Sequence, residues 1–225
     1  MAKRTPENNR RRIIEEQRRR ERAKERRKTI ATIVLCSLLG VALIGGAVYV
    51  SQQKDGGSNL AMRDVGLAED AAACLPVKEE EIPKEANDEG IKHTNERVEY
   101  TPAPPTSGRH APTTLPVGAK KFYSRDDNPA PERAVHNLEH AYVVVWYDAK
   151  ATDEQLDRLK DAADAAESKF LVIPWTRGEF PDGKHVVLTA WGFRQQCTDV
   201  SGAVIQKFID EHGGFAGKAP EKSAI

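Results

Sequence analysis

Residues 30–50, IATIVLCSLLGVALIGGAVYV, run for twenty-one positions without a charged side chain. A helix rises about 1.5 Å per residue, so the run matches the roughly 30 Å hydrocarbon core of a bilayer. It exceeds the apolar core of a cleavable signal peptide, about 7–15 residues. The segment is therefore read as an uncleaved single-pass transmembrane anchor. Net charge is zero over the chain, but the charges are segregated. Residues 1–28 hold thirteen Lys/Arg against five Glu, a balance of +8, and the remainder holds 21 basic against 29 acidic groups, a balance of −8. Arg26, Arg27 and Lys28 abut the span. The positive-inside rule then places residues 1–29 in the cytoplasm and everything after residue 50 outside the cell membrane. Small residues at Cys36/Gly40 and Ala42/Gly46 suit helix association within the bilayer. The basic tail, rich in helix formers, is read as lying on the anionic inner leaflet, where each Lys/Arg contributes about 1 kcal/mol. Its interleaved glutamates, and the lack of any nucleic-acid-reading motif, argue against a nucleic-acid partner.

Beyond the span, residues 51–73 mix Gly, Ser, Gln and charges and read as a linker. Residues 74–217 read as one extracytoplasmic domain, and 218–225 as a polar tail. Cys74 and Cys197 form an even pair in the exported part, and an oxidising compartment allows them to form a disulfide. Residues 76–133 are proline-rich and lack periodicity; within them TPAPPTSGRHAPTTLPVG, residues 101–118, excludes helix and suits disorder or an ordered extended loop presenting His110. From residue 140, HAYVVVWYD reads as a strand buried on both faces. TDEQLDRLKDAADAAE reads as a helix capped by Thr152 with Gln155 three residues on. FLVIPW and HVVLTAWG read as strands, and VSGAVIQKFIDEHGG as a helix with Val204, Ile205, Phe208 and Ile209 on one face. The expected fold is α+β: a small mixed sheet in the order β-α-β-β-α with two helices on one face. The loop TRGEFPDGK suits a hairpin between the last two strands, and residues 95–123 offer an extra edge.

All six histidines lie beyond the span. His136 and His140 flank Glu139 in H-x-x-E-H, and positions i and i+4 share a face on a helix and on a strand alike. Imidazole is a common ligand of Zn and Cu. The spelling also matches an inverted zincin protease motif, in which a helix presents both histidines. The direct run into AYVVVWYD argues against such a helix and for the start of a strand. His110, in the proline-stiffened loop, is the expected third ligand, since three histidines and a water form a known open zinc site. Glu139, as ligand or as a partner orienting an imidazole, and His93 are the alternatives. His185 and His212, and Trp146, Trp175 and Trp191, read as structural. Ser107 lacks the strand–turn–helix setting of a nucleophile.

PPTSGRH at 104–110, HNLEHA at 136–141 and AWG at 190–192, behind one N-terminal anchor, together resemble an actinobacterial membrane-anchored family, domain of unknown function 3105. The resemblance covers about residues 74–212. It implies that Pro104, Pro105, Thr106, Ser107, Gly108, His110, His136, Leu138, Glu139, His140, Ala190, Trp191 and Gly192 are the family's motif positions. Ala141 departs from it, because the family usually has glycine there. If that position needs positive φ, alanine strains the turn. The resemblance carries no activity. The expectation is a membrane-anchored domain binding a divalent transition metal, Zn or Cu, through His110, His136 and His140, alone or with an envelope protein as partner. A structural domain whose histidines brace the proline loop is the alternative, followed by a metal-dependent hydrolase with Glu139 as base. A binding module is favoured over an enzyme.

Overall fold

In the computed structural model, residues 19–21 and 61–224 are described, apart from positions 117, 119, 168, 181 and 182. The span read at 30–50, its small-residue pairs and most of the basic tail lie outside the described residues. Among the described residues, no helix is long and apolar enough to cross a membrane. The chain divides into two units, Met1–Gly56 and Gly57–Ile225, and the second carries the fold described below.

Its centre is the strand β2 (Val143–Tyr147), whose sequence VVVWY is buried at every position. The other strands are β1 (Lys78–Glu79), β3 (Phe170–Pro174), β4 (Val186–Ala190) and β5 (Phe193–Cys197), in the sheet order β1-β5-β4-β2-β3. The crossover from β2 to β3 runs through α2 (Asp153–Ala165) and returns parallel, as expected of a strand–helix–strand unit. Thr152 and Gln155 close the capping box read from the sequence, with bonds of 3.3 and 2.9 Å.

The hairpin expected between β3 and β4 does not form. The Trp175 amide bonds to Tyr147 at the end of β2 (2.8 Å), and β4 then pairs antiparallel with β2 on the side away from β3. The free side of β3 is occupied by residues 121–123 instead, where the Tyr123 amide donates to the Val172 carbonyl and the Val172 amide to the Lys121 carbonyl, both at 2.8 Å. β4's hairpin partner is β5, reached through the two-residue turn Trp191-Gly192. Gly192 has φ +78°, a conformation that glycine adopts freely.

Two apolar layers sandwich the sheet. On one face α2 and α3 (Gly202–His212) pack through Leu159, Ala162, Val204, Ile205 and Phe208. These are the two helices expected on one face. The other face, carrying Val144, Trp146, Leu171, Ile173 and Val187, is covered by α1 (Pro131–Glu139) and the proline-rich segment. The domain is thus wider than 74–217. Met62, Val65 and Ala72, in the stretch read as linker, are buried, and so is Ala219 in the stretch read as tail. Cys74 and Cys197 are disulfide-bonded.

Candidate functional site

The site is assembled where α1 meets the proline-rich segment. Pro131 stands at the first helical position, where its missing N–H costs nothing. Ala134, Val135 and Leu138 face the sheet. The helix contradicts the reading of His136 and His140 as the entry to a strand, which begins only at Val143. Its polar residues hide the pattern, because Glu132, His136, Asn137 and Glu139 are buried beside the apolar ones. Asn137 accepts from the Leu115 amide (2.8 Å), and Glu132 receives both guanidinium nitrogens of Arg177 (2.6 and 2.8 Å). The helix ends abruptly at Ala141, which has φ +65°, while the Tyr142 amide returns to the Asn137 carbonyl (3.0 Å). This is a left-handed C-terminal cap, the conformation glycine suits best. The positive φ foreseen as costly for alanine there is present.

Because His136, Glu139 and His140 fall at i, i+3 and i+4, they share the helix face turned to the loops. Two loop segments meet that face side by side. His93 and His110 form a parallel bridge, with the Thr94 amide donating to the His110 carbonyl (2.7 Å) and the His110 amide to the Lys92 carbonyl (2.8 Å). The motif residues hold this bridge in place. Pro104, Pro105, Thr106 and Ser107 are buried, and Thr106 accepts from the Gly192 amide (3.1 Å). Arg194 donates to the carbonyls of Ala103 (3.1 Å) and Pro104. Trp191 meets the His110 ring edge-on, with centroids 6.2 Å apart. PPTSG and AWG therefore act together as the mount for one imidazole.

The rings converge. His110 Nδ1–H donates to the Gly108 carbonyl (2.8 Å), which turns Nε2 to Glu139 Oε2 at 3.0 Å. His136 Nδ1–H donates to the Ala111 carbonyl (2.7 Å), which turns its Nε2 inward, 3.9 Å from the same carboxylate oxygen and 3.1 Å from His140 Nε2. His93 stacks on His136 at 5.3 Å between centroids. His93, His110, His136 and Glu139 each offer one ligand atom, all within 4.8 Å of one another, and this group can hold a metal ion. His140 belongs to a second group with Glu139 and Glu221. Of the expected trio, His110 and His136 fall in the first group with the expected alternatives His93 and Glu139, while His140 falls in the second, its Nε2 3.1 Å from His136 Nε2 and 3.2 Å from Glu221 Oε2. His140 Nδ1 is buried without a partner.

Behind the rings lies a buried lysine that sequence reading missed. Lys92 is 1% exposed, and its ammonium reaches Glu89 (2.6 Å), Glu139 Oε1 (3.0 Å) and Glu221 (3.0 Å). Burial opposes its charge, but the three carboxylates outweigh burial and hold its pKa above the ordinary value. Burial alone would raise the Glu139 pKa; bonds from His110 and Lys92 reverse that and bring it down to about 2. Burial lowers the pKa of His136, which keeps that ring neutral. His136 thus offers a neutral imidazole and Glu139 an ionised carboxylate, the forms a metal ion binds. Glu221, in the stretch read as a polar tail, had no signal in the sequence. For Lys92 the only hint was its place one residue before His93.

A family model described as "Protein of unknown function (DUF3105)" matches residues 92–225, which include every residue of this cluster except Glu89. No curated protein matches, and no solved structure does.

Proposed function

This chain belongs to the DUF3105 family, whose description assigns no activity, and on that premise we propose that its domain binds one divalent transition metal, Zn or Cu, through His93, His110, His136 and Glu139. One observation carries the reading. Two ring Nδ1–H groups are spent on main-chain carbonyls, so both Nε2 atoms are turned to one buried carboxylate oxygen, at 3.0 and 3.9 Å. Second bonds of this kind fix tautomer and orientation in metal-binding histidines. Tetrahedral zinc, with ligands about 2.0–2.1 Å away, needs ligand-to-ligand edges of about 3.3 Å. The 3.0 and 3.9 Å separations from Glu139 Oε2 bracket that value. Nitrogen-rich sites of this kind favour Zn and Cu over Mg or Ca.

The span read at 30–50 would anchor this domain outside the membrane, with the basic tail on the inner leaflet and an envelope protein as partner. The support is the uncharged run and the position of its flanking Arg and Lys. The hydrolase reading loses ground, because a carboxylate held near 2 and paired with Lys92 is a poor base at neutral pH. A bracing role keeps one observation in its favour: the same imidazole–carbonyl bonds tie the proline loop to α1.

Metal titration of the full chain in detergent separates the two. Metal binding predicts one zinc or copper per chain, with binding weakened at least about 10-fold by His110→Ala or His136→Ala, the scale for losing part of a metal shell. Bracing alone predicts no bound ion and an unchanged Tm on adding metal.

A further inference from the structure

Beside the histidine group three carboxylates, Glu139 buried, Glu221 half-exposed and Glu89 exposed, converge on one buried ammonium. Oxygens of Glu89, Glu139 and Glu221 stand 2.6, 3.0 and 3.0 Å from Lys92 Nζ, so the three ammonium protons meet three carboxylate acceptors. Glu139 spans both positions. Its Oε1 faces the ammonium and its Oε2 faces His110 and His136. Glu139 and Glu221, with His140, also form the second group whose ligand atoms lie within 4.8 Å of one another. Without the lysine, these carboxylates are the oxygen-rich surroundings that Mn²⁺, Ca²⁺ and Mg²⁺ prefer.

We propose that Lys92 is a specificity-determining residue: its ammonium occupies a three-carboxylate cage, keeps hard divalent cations out of it, and holds the adjoining site to a single nitrogen-bound ion. The last clause rests on the metal-binding reading above; the exclusion from the cage does not. A divalent ion cannot share the cage with an ammonium at these distances, since both positive charges would sit within contact of the same oxygens. Lys92 also draws on half of the Glu139 carboxylate. The neighbouring position is thereby left dominated by imidazole nitrogen, which selects against oxygen-seeking ions.

The test uses the full chain in detergent, with Mn²⁺ followed by electron paramagnetic resonance and Zn²⁺ by calorimetry. Wild type should bind one Zn²⁺ and no Mn²⁺ in the micromolar range. Lys92→Met should gain one Mn²⁺ site at least about tenfold tighter than anything in wild type, as an added carboxylate cage implies. The gain should vanish in Lys92→Met/Glu221→Gln. Should Lys92→Met fail to fold, Lys92→Gln, whose amide still donates to the carboxylates, carries the same comparison. Wild type binding Mn²⁺ as tightly as the variant, or a folded neutral variant gaining none, would overturn the proposal. Mn²⁺ gained by the variant while wild type takes up no Zn²⁺ would leave the cage standing and sink only the metal-binding function.

Discussion

His110 Nε2 stands 3.0 Å from Glu139 Oε2 while Nδ1 of the same ring stands 2.8 Å from the Gly108 carbonyl. Carbonyl and carboxylate are both acceptors, so the ring satisfies both only with two protons, or with one proton and a metal ion at Nε2. His110→Ala should therefore act twice. It leaves the carboxylate short of a partner, which costs about 1–3 kcal/mol of stability. It also removes a ligand, so zinc should raise the Tm of wild type by more than that of the variant. Denaturant melts with and without zinc check both effects.

Acid should weaken the fold in two stages. The His136 pKa is lowered in the fold by burial, so protons favour the unfolded chain once pH drops below about 6.5, and stability declines from there. The Glu139 pKa is held at about 2 against an ordinary 4.5, so its contribution is complete above 4.5 and is withdrawn as pH falls from 4.5 toward 2. That second stage amounts to about 3 kcal/mol. Urea unfolding from pH 7 to 3 should show a smaller second stage in Glu139→Gln than in wild type, since Asp127 and Glu132, also held below their usual values, still titrate in the variant.

Ala141 is an alanine in the left-handed region at a helix end. Ala141→Gly should raise stability by about 0.5–1 kcal/mol, the strain relieved less the extra entropy of an unfolded glycine. Thermal melts of the two proteins decide it, and an unchanged or lower Tm would show that the turn is not strained.

How far the sequence could be read follows from where polar residues went. Strands β2 and β3 are continuous apolar runs, and α2 announces itself with Thr152 and Gln155, so local chemistry and tertiary environment agree there. α1 was hidden because its buried face includes Glu132, Asn137 and Glu139, each paired with a residue 22 or more positions away. No local pattern encodes such partners. β5, FRQQC, is buried only at Arg194 and Cys197 and reads as a loop until β4 is laid beside it. His110 and His136 were legible as ligand types, and the His110 loop as a rigid one. That His93 stands beside them was open only as an alternative, because it depends on the bridge between two loops. Lys92 was the least legible of all, since lysine is almost never buried unless paired, and its three partners come from three separate segments.

Cys74 and Cys197 lie 123 residues apart in sequence. Their bond ties β5 to the segment before β1 and restricts the unfolded chain over that whole distance. Cys74→Ser/Cys197→Ser should lower stability by about 2–5 kcal/mol. Calorimetry of the double variant beside wild type measures the loss, and an equal Tm would remove the disulfide from the account of stability.

The most direct measurement is a zinc-edge anomalous difference map from crystals of the zinc-loaded protein. One peak should appear among His93, His110, His136 and Glu139, about 2 Å from an atom of each. A map without that peak, with Glu139 still bonded to His110 and Lys92 as it is here, would contradict the metal site.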